Sequence, residues 1–132
     1  MNHRLAHVAL VVRDYDEAIR FYVDVLGFRL LKDIYQPEQD KRWVLVQPSG
    51  GGVSILLARA TNDIQRAAIG AQSGGRVFLF LDTDDLSADL ARLRKNGVRI
   101  VREPKTADYG TVAVFEDLYG NLWDLIERPG AG

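Results

Sequence analysis

The stretch HVALVVRDYDEAIRFYVDVLGF, residues 7–28, decides how the rest of the chain is read. Residues 6–12 form a continuous aliphatic and β-branched run of strand length. A run without polar alternation marks a strand covered on both faces. Asp14 follows, with Glu17 three residues later, the capping-box pattern that satisfies the free N–H groups of a first helical turn. Ala18, Phe21, Tyr22, Val25 and Leu26 then recur at helical spacing, and Gly27 stands where a left-handed residue ends a helix. The histidine that heads the strand has two readings: a ligand or base on the floor of a site, or a polar residue at a strand end.

Outward from this stretch, residues 28–34, 43–47 and 53–58 read as three short strands. The polar loop QPEQDKR and the glycine-rich turn PSGGG separate them. Strand, helix and three strands make a βαβββ module over residues 4–60. A short helical segment at residues 62–69 and a flexible QSGG make up a linker, 61–74. The order then begins again. Residues 76–81 form a strand, Asp84 or Asp85 caps a helix carrying Leu86, Leu90 and Leu93, and Gly97 closes it. Residues 98–102, 111–115 and 122–127 are the remaining strands of a second module, 75–128, with the turn EDLYGN before the last.

Gly27 and Gly97 stand 70 positions apart (97 − 27), as do Asp14 and Asp84, Ala18 and Ala88, and Gly50 and Gly120. Matching element order, caps and spacing argue for a duplicated unit. Neither half covers both faces of a small, mostly antiparallel sheet by itself. Pairing the two with helices outside is expected to leave a concave cup between curved sheets.

Composition bounds the function. The chain has 132 residues, 47% of them hydrophobic, enough for one real core. Its 17 basic and 18 acidic residues give a net charge of −1 without a block of one sign, so neither nucleic acid nor an anionic membrane is expected as a partner. No cysteine is present, which removes disulfides and thiolate chemistry. The segment MNHRLAHVALVV lacks a secretory h-region, and no apolar run approaches the ~20 residues that span a bilayer. A soluble cytoplasmic protein is expected.

HVALVVRDYDEAIRFYVDVLGF and YGTVAVFEDLYGNLWDLIE together resemble the start and finish of a vicinal oxygen chelate domain. That superfamily contains glyoxalase I, bleomycin and fosfomycin resistance proteins and extradiol dioxygenases. The first segment carries histidine, apolar strand, Asp, a helix with an aromatic pair, and Leu-Gly-Phe. The second carries Asp, two residues, Gly-Asn, two residues and an acidic residue. The resemblance implies an α+β fold of paired βαβββ modules, with about eight strands, two main helices and a linker helix, forming a cupped glyoxalase-like sheet in a single domain. It implies a small-molecule ligand or substrate in the cup and a homodimer.

The resemblance also implies a divalent ion, Zn, Ni, Mn or Fe, held by side chains of the first, fourth, fifth and eighth strands. His7 matches the first-strand ligand and Asp124 the eighth-strand carboxylate. The fourth-strand ligand falls within VSILLA, at Ser54 or Ile55, and the fifth-strand ligand at Val77, Arg76 or Phe78; none of these is a credible donor. A resident ion normally takes roughly three or more protein ligands. His7 and Asp124 alone form a weak, incomplete metal pair, so no cofactor is certain.

A metal-free reading keeps both residues as catalytic groups. If the pleat aims them into one cup, Asp124 fixes the imidazole tautomer and His7 becomes a general base for proton abstraction next to a carbonyl, as in a lyase or isomerase. Arg76 offers a planar donor fork for an oxyanion, or simply marks the exposed start of its strand. Trp43, Phe78 and Tyr109 are core or interface aromatics or part of a substrate cage, and Ser54 lies within reach of the same site. The alternative to an enzyme is a metal-free dimer that sequesters a planar or hydrophobic compound.

Overall fold

The computed structural model describes residues 1–130, which divide into two compact units, Met1–Ile69 and a second beginning at Gly70. The boundary falls inside the expected linker. In the first unit, β1 (His7–Val12) leads through α1 (Tyr15–Ile19) into β2 (Arg29–Gln36), β3 (Lys41–Gln47) and β4 (Ser54–Arg59), and α2 (Asp63–Ala68) follows. The sheet order is β1-β4-β3-β2, with β1 and β4 parallel and the other pairs antiparallel.

Asp14 starts α1 as its spacing requires, its carboxylate accepting the Glu17 N–H at 2.9 Å. Beyond Ile19 the helix widens: the N–H of Leu26 reaches back to the carbonyl of Phe21 at 2.9 Å, the i to i−5 spacing of a π-turn. Gly27, at φ 81°, ends the segment. Leu10, Val12, Ala18, Tyr22, Val44, Val46 and Leu57 form the core of this unit, each with 0% exposure.

The second unit repeats the plan with β5 (Val77–Asp82), α3 (Leu86–Lys95), β6 (Ile100–Ala107), β7 (Gly110–Glu116) and β8 (Leu122–Glu127), in the order β5-β8-β7-β6. Phe115 stacks on Trp123 at 6.1 Å between centroids, and Leu93, Ala113 and Leu125 complete a buried core. Eight strands in two mixed sheets and three helices make up the α+β glyoxalase-like architecture. Among the described residues no helix is long and apolar enough to cross a membrane.

Of the two cap candidates for α3, Asp85 is the one used, accepting from the Ala88 N–H at 3.1 Å, so the Asp14–Asp84 match is displaced by one residue. Two further details differ from expectation. β6 continues past Arg102 through Pro104 to Ala107. It is an edge strand whose register shifts between Arg102 and Lys105, and an edge with a bulge tolerates a residue that cannot donate. β5 begins at Val77, leaving Arg76 outside it.

The ladders also give the correspondence between the two units. Buried Leu10, Leu57 and Val44 are neighbours across the first sheet, as are Leu81, Leu125 and Ala113 across the second. One residue earlier on the strand β4 or β8, the rows are Ala9–Leu56–Leu45–Lys32 and Phe80–Asp124–Val114–Arg102. The counterpart of Asp124 is therefore Leu56, rather than Ser54 or Ile55. His7 pairs with Ser54 as Val77 pairs with Leu122, which makes Val77 the counterpart of His7. The register shift after Val77 and unequal turns are what a single fixed offset misses.

Candidate functional site

His7, Trp43 and Ser54 belong to one sheet. His7 stands opposite Ser54 at the start of the β1–β4 ladder, and its ring meets that of Trp43 edge to face, 6.2 Å between centroids at 76°. Ser54 is 6% exposed, whereas His7 is open to solvent and Trp43 half-buried. Trp43 pairs with Ile34 on β2, while the next residue along, Val44, is fully buried in the core. Strand alternation thus sends neighbouring side chains to opposite faces and leaves the indole outside the helix-covered core.

Trp43 also lines a cavity of about 310 Å³ within the first unit. Val11, Leu56, Ala58 and the Tyr15 ring supply further apolar wall. Gln36, Gln39, Lys41, Arg42 and Arg59 supply polar wall, with Thr61 and Gln65 completing it. The loop QPEQDKR, which reads from sequence as a solvated connection, contributes four of these residues: Gln36, Gln39, Lys41 and Arg42. The signal available beforehand was the concentration of amides and cations immediately before an aromatic residue.

Charge in this wall is unevenly matched. Arg42 forks onto Asp33 at 3.0 and 2.7 Å and reaches Asp16 at 2.9 Å. Hydrogen bonds to Asp33 and then Asp16 push its pKa up and keep it charged, while the same guanidinium holds the Asp16 carboxyl below its usual range. Arg42 and Arg59 also lie over the Tyr15 ring, 5.1 and 5.3 Å from its centroid. Arg59 donates to the Asp40 carbonyl at 3.1 Å but comes only within 3.9 Å of its carboxylate.

Asp124 stands in the second unit, half-buried on a row with Phe80, Val114 and Arg102. Burial pushes its carboxyl pKa up, and the charge of Arg102, a residue that motif reading passed over, opposes the shift. The remaining candidates lie elsewhere in this unit. Phe78 meets the core residue Trp123 edge to face at 6.2 Å. Arg76 is exposed ahead of β5, where the Ser73 hydroxyl donates to its carbonyl. Tyr109 is exposed at the β6–β7 turn. His7 and Asp124 thus belong to different units.

The donor set does not fit the divalent ion that the resemblance implies. Among the described residues no three His, Cys, Asp or Glu side chains gather. Leu56 and Val77, the counterparts of Asp124 and His7, are hydrocarbons without a donor. Arg102 adds a positive charge on the row of Asp124.

A model of the Glyoxalase/Bleomycin resistance protein/Dioxygenase superfamily matches residues 4–125. An uncharacterised protein of Shewanella frigidimarina (strain NCIMB 400) is 61% identical over 128 residues, covering 96% of this chain and 95% of that one. The crystal structure of TnmS3, an antibiotic-binding protein from Streptomyces sp. CB03234, is similar with a TM-score of 0.74 and 33% identity, covering 97% of each chain. Lactoylglutathione lyase of Escherichia coli O157:H7 is 29% identical over 132 residues, covering 98% of this chain and 96% of the enzyme.

Proposed function

The chain belongs to the Glyoxalase/Bleomycin resistance protein/Dioxygenase superfamily, and from that premise we propose that it is a cytoplasmic, homodimeric protein that sequesters a planar organic molecule without transforming it. The cavity beside Trp43 carries this reading. Its volume of about 310 Å³ suits a small multi-ring compound, and its wall joins apolar and aromatic surface to a few polar groups. The antibiotic-binding neighbour supports a binding role. The hydrocarbon at Leu56 gives the cavity apolar surface where a ligand-holding family member has a donor.

Anthracenemethanol, a neutral planar probe, tests it. Of the two tryptophans, Trp123 is buried in the core, so quenching by a ligand in the cavity falls on Trp43. Saturable one-to-one quenching is expected, lost in Ala58→Phe, which fills the space. Absence of saturable binding, or unchanged binding by Ala58→Phe, overturns the assignment.

Asp124 favours a second reading, a lyase or isomerase. Burial raises the pKa of its carboxyl, which strengthens the carboxylate as a proton acceptor, and His7 of the first unit is the other candidate base. Isomerisation of the hemithioacetal of methylglyoxal and glutathione to lactoylglutathione, followed through the growth of thioester absorbance, checks this reading: turnover present in the wild type and lost in both His7→Ala and Asp124→Asn establishes it. Absence of turnover leaves sequestration.

A further inference from the structure

We infer that the cavity of the first unit selects planar ligands carrying an anionic oxygen, a carboxylate or a phenolate, over their neutral and cationic counterparts; this rests on the sequestration reading above. The warrant is a mismatch between hydrogen-bond donors and acceptors in the wall. Among the described residues no Asp or Glu lines the cavity, while three cations do, Lys41, Arg42 and Arg59. Their charges are not equally committed.

Arg42 is spent. Asp33 accepts from Nε and Nη2 and Asp16 lies against the same Nη2, so two carboxylates already neutralise one guanidinium. Arg59 is held more loosely: it lies over the Tyr15 ring and donates to the Asp40 carbonyl oxygen at 3.1 Å, while the Asp40 carboxylate stands at 3.9 Å. Lys41 enters no ion pair among the described residues and stands exposed at the first position of β3. The positive charge still available to a ligand therefore comes from Lys41 and Arg59.

The neutral groups lean the same way. The carboxamide oxygen of Gln65 accepts both the N–H of Thr61 at 2.7 Å and its hydroxyl at 3.0 Å. That consumes the acceptor end and leaves the amide N–H₂ to donate. The Gln36 and Gln39 carboxamides are engaged by no other side chain among the described residues and turn to suit an acceptor. Ligand oxygens find donors here, whereas a ligand ammonium meets Lys41 and Arg59 with no lining carboxylate to balance it. Val11, Leu56, Ala58 and the face of Trp43 offer the apolar surface for the ring system.

The experiment compares anthracenecarboxylate, anthracenemethanol and aminomethylanthracene, substituted at the same ring position, in titrations followed by Trp43 quenching. The carboxylate is expected to bind about tenfold more tightly than the alcohol, as a charge-assisted hydrogen bond allows, and the ammonium more weakly than either. Its advantage should shrink in high salt. Lys41→Glu is expected to erase or invert the order; its site is exposed, and unchanged circular dichroism checks that the variant folds. Equal binding of all three probes, or preference for the ammonium, overturns anion selection while sequestration stands. Failure of all three to bind overturns both. A carboxylate preference unaltered in Lys41→Glu and in Arg59→Gln overturns the assignment to this wall.

Discussion

The backbone N–H of Gln72 donates to Oδ1 of Asn121 at 3.1 Å, tying the segment after Gly70 to the turn before β8. Asn121 in turn donates from its side chain to Oδ2 of Asp117 at 2.9 Å, and Oδ1 of Asp117 accepts the N–H groups of Tyr119 and Asn121, both at 2.9 Å. Asp117 is 6% and Asn121 2% exposed, so water cannot readily replace either. Asn121→Ala is expected to cost about 1–3 kcal/mol, because a part-buried N–H and a buried carboxylate oxygen each lose a hydrogen-bond partner together. Urea unfolding measures it, and a loss below about 0.5 kcal/mol would show that the network is dispensable.

Gly70 makes the same segment sensitive to a single methyl group. Its φ of 76° already disfavours an L side chain, and a Cβ there would sit 2.0 Å from the carbonyl oxygen of Tyr119. Gly51, at φ 90°, has nothing within 4 Å of its Cβ position. Gly51→Ala should cost about 1 kcal/mol of backbone strain alone, and Gly70→Ala distinctly more. Equal shifts in melting temperature would mean that the Tyr119 carbonyl moves aside freely.

The contrast between these positions shows where the sequence was informative. The EDLYGN turn is legible as a turn because Asp, Asn and Gly have local reasons to be there. That Asn121 also holds Gln72 is not legible, since the partner lies 49 residues away and offers only its backbone. Element order, the Asp14 cap and the two glycine helix ends follow from local chemistry and appear as expected. The counterpart of His7 at Val77 follows from the repeat count, but that of Asp124 goes astray by two residues, because the connections between strands differ in length between the two units and no single offset contains that. The cavity wall is missed for a similar reason: Lys41 and Gln39 look solvated in a polar run, and only pairing of β2 with β3 sets them beside Trp43.

Arg42 should not tolerate a lysine. Its fork on Asp33, its contact with Asp16 and its position over Tyr15 use the planar guanidinium in three ways at once. Lysine keeps the charge but supplies neither the paired N–H geometry nor the flat face. Arg42→Lys is expected to lower stability by about 1 kcal/mol. The double variant Arg42→Lys with Asp33→Asn should cost less than the sum of its parts; strict additivity would show that the fork contributes nothing.

Asp124 provides the sharpest test of a functional role in the second unit. Phe80 and Val114 adjoin it across the sheet, and burial raises its carboxyl pKa above 3.8 despite the opposing charge of Arg102. A carboxyl raised in the folded state binds its proton more tightly there than in the unfolded chain, so folding is favoured at acid pH and penalised once the group ionises. Asp124→Asn keeps the shape and removes the charge. It is therefore expected to melt above the wild type at pH 7, with the difference shrinking as pH falls through the raised pKa and vanishing below 3.8, the unfolded value. Arg102→Gln should widen the gap at pH 7, because it removes the charge that now steadies the carboxylate. Melting curves across this pH range decide it: an Asn variant less stable than wild type at pH 7 but not at acid pH would mean that the carboxylate has a stabilising partner. If the expected order holds, the ionised group is retained at a cost in stability, which is the signature of a residue kept for binding or proton transfer rather than for the fold.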